Sequence, residues 1–193
     1  MAPKIIFHRS WIYDIMLEPL RDKGFKMPSD QVMSSRIRTI EKEWKKYGEK
    51  ILKEISKVTK LKWHQKTTIC YITAGIVPFS DPLTMNARKD PRRAIHVLTH
   101  EMIHRLLSES ENSQKIQKNW DRLMRRYEKE SALTASHIGI HAIHAHVILT
   151  LFDRKELKKE KAEDSDNPPY ARAWEIVETE GYKNIVTKLT KGL

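Results

Sequence analysis

Cysteine is nearly absent from this chain of 193 residues: Cys70 stands alone. That excludes an intrachain disulfide and a zinc knuckle built on thiolates, and it fits a reducing compartment. Long apolar runs are missing too. The opening MAPKIIFHRSWIYD is too short in apolar residues for a signal-peptide h-region, and no stretch reaches the roughly 18 apolar residues of a membrane span. The expectation is a soluble, cytoplasmic protein with no membrane partner. Acidic residues are outnumbered, 25 against 36 basic ones, for a formal net charge of +11. A field of that sign attracts nucleic acid or acidic protein surfaces, so nucleic acid enters as a partner through a basic surface. It says nothing about fold.

What is present is enough apolar material, 39% of 193 residues, for one domain spanning residues 1–193. Val32, Met33, Ile37, Ile40, Trp44, Tyr47, Ile51 and Ile55 recur at helical intervals after Pro28 and a capping candidate, Ser29. This predicts a long amphipathic helix over 29–58. TTICYITAGIV, rich in β-branched residues and closed by Gly75 and Pro78, predicts a strand or tight hairpin near 68–77, and LTMNA a short edge strand near 83–87. Asp90 and Pro91 form an N-cap and first-turn pair for a helix running through RRAIHVLTHEMIHRLL. KIQKNWDRLMRRYEKE repeats the helical pattern with Ile116, Trp120, Leu123 and Tyr127. ALTASHIGIHAIHAHVILTLF is apolar nearly all round, which implies burial on several sides. KELKKEKAEDSDNPP reads as a charged connection, and YARAWEIVETEGYKNIVTKL as a terminal helix with Gly181 near its middle or at a break. The fold class expected is α+β, mostly helical, with a small mixed or antiparallel sheet.

Within VLTHEMIHRLL, His100 and His104 stand four apart with Glu101 directly after the first. On a helix, residues four apart lie about 40° apart around the axis and roughly 6 Å along it, so both imidazoles can aim at one point. Glu101, about 100° further round, is placed to reach a water held by a metal rather than the metal itself. This is why His-Glu-x-x-His supports metal-assisted hydrolysis: Zn2+ lowers the pKa of a water and the carboxylate accepts its proton. Glu101 is the candidate catalytic base. His96 continues the series one turn back, but about 12 Å from His104 it cannot share the same ion, and it reads as core or as support behind the ligands. His137, His141 and His144 form a second stripe on an otherwise apolar helix, with His146 pointing away.

HEMIH resembles the active-site motif of the zincin superfamily of metallopeptidases. The resemblance implies an active-site helix, a backing helix, a strand whose edge binds extended peptide, and a third zinc ligand from a later helix. The helix at 29–58, the strand near 68–77 and the segment near 83–87 follow that order. HEMIHRLLSES lacks the glycine and third histidine of the metzincin extension, so the third ligand comes from further on. Small zincins with a third histidine on a later helix favour His141, central in its stripe. His137, Glu128, Glu130 and Glu175 are the alternatives. His137 is alternatively a donor to the oxyanion of the tetrahedral intermediate or a contact to substrate. The resemblance implies a zinc metallopeptidase acting on peptide or protein. Small basic members similar to the SprT-like group act on protein attached to nucleic acid, and KLKWHQK and RLMRRYEK interleave cations with aromatics in a way that suits such a partner. A zinc-stabilised binding module without turnover is the competing class.

Overall fold

Ser29 opens the long helix as its position suggests: its hydroxyl accepts the Val32 amide at 3.4 Å and its carbonyl accepts the Met33 amide at 2.9 Å. The structure is a computed structural model describing residues 1–88 and 90–193. Its elements are β1 (Lys4–His8), α1 (Trp11–Met16), α2 (Asp30–Thr59), β2 (Thr67–Thr73), β3 (Phe79–Ser80), β4 (Leu83–Asn86), α3 (Pro91–Ser108), α4 (Ser110–Arg126), α5 (Ala132–Leu151), α6 (Arg154–Glu163), α7 (Pro168–Glu180) and α8 (Tyr182–Leu189). It is a mostly helical α+β fold with one small mixed sheet, as the sequence patterns imply. The chain forms two compact units, Met1–Glu49 with Trp63–Met102, and Lys50–Lys62 with Ile103–Leu193. Helices α2 and α3 each run through both.

The first unit holds the sheet, in the order β1-β2-β4-β3, with β1 and β4 parallel to β2 and β3 antiparallel to β4. Two expectations change here. Strand β1 lies in the N-terminal stretch that sequence reading left without structure. The segment expected as an edge strand near 83–87 is interior, because the two-residue β3 folds back on β4 and pairs Phe79 with Thr84 and Ser80 with Leu83. Alternation along β2 buries Thr68, Cys70 and Ile72 on one face, while Thr67 and Ile69 face outward. A buried carboxylate is tolerable only when fully bonded. Asp14, 5% exposed, has the Arg21 guanidinium at 3.2 Å and the Thr73 hydroxyl as partners, while Arg21 also reaches the Ala74 carbonyl at 2.8 Å.

The second unit is built on α5. It is the one helix among the described residues long and apolar enough to cross a membrane, with a mean hydropathy of 1.2, yet 72% of that stretch is buried within the protein. Its all-round apolar character therefore marks the centre of a helical core, with α7 and α8 packed along it. Gly139 makes close packing there feasible: a Cβ at that position would lie 3.1–3.2 Å from Leu189, Trp120 and Leu123. The segment expected as a charged connection is instead helix α6. Asp153 caps it by accepting the Glu156 amide at 2.8 Å, and Lys159 pairs with Glu156 at 2.9 Å. Capping and short-range ion pairs stabilise a helix that has almost no apolar periodicity to read. Gly181, at φ 80°, ends α7 and starts α8, which settles the terminal helix as two.

Candidate metal centre

Helix α3 begins where Asp90 accepts the amides of Arg92 at 2.8 Å and Arg93 at 3.4 Å, with Pro91 as its first residue. Its Ala94, Ile95, Leu98, Met102, Ile103 and Leu106 are all fully buried, which fixes the rotation of the helix about its axis. That rotation sets His100 and His104 on one face, one turn apart, and leaves Glu101 only 7% exposed. Burial alone pushes the Glu101 carboxyl up to about 8.

The third histidine comes from α5. Ser131 caps this helix by accepting the Thr134 amide at 3.0 Å, and one turn later His137 turns inward at 5% exposure. One ligand atom from each of His100, His104 and His137 lies within 4.8 Å of the other two. The His104 and His137 ring centroids are 5.2 Å apart. His137 Nδ1 lies 2.9 Å from the Leu133 carbonyl, which can only accept, so Nδ1 carries the proton and Nε2 keeps its lone pair. Tyr170 of α7 stacks on the same ring with centroids 4.3 Å apart.

His141, the third ligand expected from the sequence, is not the histidine that joins the pair. It sits one turn beyond His137, fully buried, with Trp174 stacked on it at 4.2 Å and an interplanar angle of 13°. Asp164 lies 4.0 Å from His141 Nε2 and accepts the Trp174 indole N–H at 2.8 Å. His144, also fully buried, faces Glu160 at 3.9 Å, while His146 turns away to Glu54 at 2.9 Å. The carboxylate alternatives are elsewhere. Glu130 and Glu175 both pair with Arg172, at 2.8 and 3.0 Å, and Glu128 is exposed. His96 is 3% exposed and outside the triad. No protein-family profile matches this chain, and neither curated proteins nor solved structures yield a match.

The donor set fits zinc. Three imidazoles are the ligands such an ion prefers when one position is to stay open, and donor atoms within 4.8 Å of one another let all three face one ion. Two of the three imidazoles, His104 and His137, are held in the neutral form. Burial and the neighbouring His137 hold His104 at about 4, and burial holds His137 below its usual value against the raising effects of the Leu133 carbonyl and Asp164. Neutral rings offer lone pairs at physiological pH. A cleft of about 230 Å³ opens beside His104 between apolar side chains that include Leu107, Ile116, Trp120 and Ile140.

Sequence reading missed Tyr170, Asp164 and Glu160. Tyr170 and Trp174 repeat the four-residue spacing of His137 and His141, and that match of two stripes was the available signal. Nothing in the charged run around Glu160 distinguishes the one residue of α6 that is buried.

Proposed function

We propose that this chain is a zinc-dependent metallopeptidase, similar in its active-site helix to the zincins, hydrolysing peptide or protein substrates in the cytoplasm. The observation that carries this reading is the approach of His137 to the His100–His104 pair, with the buried Glu101 beside it. Zinc held by these three rings would polarise the scissile carbonyl, lower the pKa of a water and, as a nearby positive charge, keep Glu101 ionised.

Glu101 then accepts the proton of the attacking water and passes it to the leaving amine. Burial by itself favours the neutral carboxyl, so the zinc charge is what would leave Glu101 ionised and able to accept a proton near neutral pH. Leu133 fixes the tautomer of His137 through its carbonyl, and Tyr170 fixes the plane of the ring. The cleft beside His104 offers an apolar side chain of the substrate a place next to the reacting centre.

Metal analysis of the purified protein together with hydrolysis of an unfolded protein tests the assignment. Wild type should carry one zinc per chain and cleave; Glu101→Gln should carry the same zinc and not cleave. Cleavage that survives in Glu101→Gln overturns the role of Glu101. Full zinc loading with no turnover by wild type replaces the enzyme by a zinc-stabilised binding module.

A further inference from the structure

A second concavity lies in the helical unit, well separated in character from the histidine cluster. It measures about 330 Å³ and is walled by Arg122 and Arg126 of α4 and by Lys188 and Lys191 at the end of α8, over a floor of Leu123 and Leu189. No carboxylate lines it. Glu180 neutralises part of the wall, bonding Arg126 at 3.1 Å and Lys188 at 3.3 Å. Arg122 and Lys191 are exposed and pair with no described carboxylate. The pocket is held in shape from below: the buried Asn119 amide donates to the carbonyls of Leu189 at 2.9 Å and Lys191 at 3.0 Å, tying the end of α8 to α4.

Cations of this number on a preformed rim call for an anion, and the apolar floor calls for a ligand with a flat uncharged part next to its charge. The geometry points to a binding site for a nucleoside phosphate unit, with phosphate on the Arg122–Lys191 rim and the base over Leu123 and Leu189. The same chemistry comes from a free nucleotide or from one residue of a single strand. A membrane surface fits less well, because none of the exposed large hydrophobic residues lies on α4 or α8 to insert into lipid. A polyacidic peptide would leave the apolar floor unused.

Fluorescence anisotropy with a labelled ten-residue oligothymidylate, and calorimetry with ATP and with inorganic pyrophosphate, read the site directly. Wild type should bind the oligonucleotide with an affinity that falls with salt at a log–log slope of about −1.4, near −0.7 for each of the two phosphates that flank one nucleotide. The double variant Arg122→Glu, Lys191→Glu should weaken binding at least tenfold, while Lys155→Glu, Lys158→Glu, an equal charge change on exposed positions of α6, should leave it within about twofold. Binding of ATP identifies a free nucleotide as sufficient; binding of the oligonucleotide alone identifies a strand. Failure of both, equal loss in the α6 control, or equal competition by polyglutamate or anionic vesicles overturns the proposal. Because all four substituted residues are exposed, circular dichroism should report unchanged folding.

Discussion

Tyr170 lies nearly flat on the imidazole of His137, ring centroids 4.3 Å apart and planes inclined by 28°. A ligand ring held by one hydrogen bond can still swing about that bond, and the stacked phenol blocks the swing. Tyr170→Ala should weaken zinc affinity by about tenfold, within the range for loss of a group that orients a ligand. Tyr170→Phe keeps the stacking face and should retain most of the affinity. Competition with a chromogenic chelator measures both, and the electronic spectrum of the cobalt-substituted protein should broaden in the alanine variant alone.

In the proposed site His137 is a zinc ligand and His141 packs the core. His137→Ala should reduce zinc affinity by more than about a hundredfold, since two imidazoles remain of the three in the proposed site. His141→Ala should retain zinc but lose roughly 2–4 kcal/mol of stability, because it deletes a fully buried ring from between its neighbours. Zinc titration and denaturant unfolding of the two variants tell them apart. The reverse pattern would return the third ligand to His141.

Two buried groups at the centre set opposite pH trends in chelator-treated protein. Glu101 rises from 4.5 unfolded to about 8 folded, so the folded state holds an extra proton between those values and stability falls as pH rises through the window. His104 drops from 6.5 to about 4, so the unfolded state holds the extra proton and stability falls as pH drops through that window. Between 4.5 and 6.5 the two slopes oppose each other, with His137 and His141, also held down by burial, adding to that of His104, and of these groups Glu101 alone acts from 6.5 to 8. Metal-free wild type should therefore lose roughly 2 kcal/mol between those last two values, whereas Glu101→Gln should not. Calorimetric melting across the range shows the difference.

Gly139 tests how tightly α5 is packed. A methyl group there meets Leu189 and Trp120 at 3.1 Å and Leu123 at 3.2 Å, tighter than ordinary carbon contacts. Gly139→Ala should sit near neutral, since the gain in helix propensity offsets modest crowding. Gly139→Val should cost about 1–3 kcal/mol through overpacking, seen as a lower denaturant midpoint.

The strongly periodic and well-capped segments were legible from sequence: α2 behind Ser29, α3 behind Asp90, and α5 as an apolar cylinder. Periodicity fails where there is none, and α6 shows this, being a helix maintained by Asp153 and ion pairs with a single buried residue, Glu160. The strand β1 went unread because five residues next to the terminus carry too little pattern, and their strand character depends on a partner, β2, some sixty residues away. Local spacing was enough to bring His100 and His104 to one helical face with Glu101 next in sequence. The choice between His137 and His141 was beyond it, because both belong to one stripe and only the axial position of α5 against its neighbours decides which reaches the pair. Centrality in the stripe favoured His141, yet the centre of the stripe is also where Trp174 and Asp164 enclose a ring most completely.

The apolar surface of α5 has a consequence for biosynthesis. The three helices that follow it are made after it, so the burial of this greasy cylinder is complete only once roughly 40 further residues have been added. Until then the segment has the length and mean hydropathy of a candidate membrane span, and burial in the finished helical unit is what sets it apart from one. Slowing translation downstream of Leu151 should lengthen that stage.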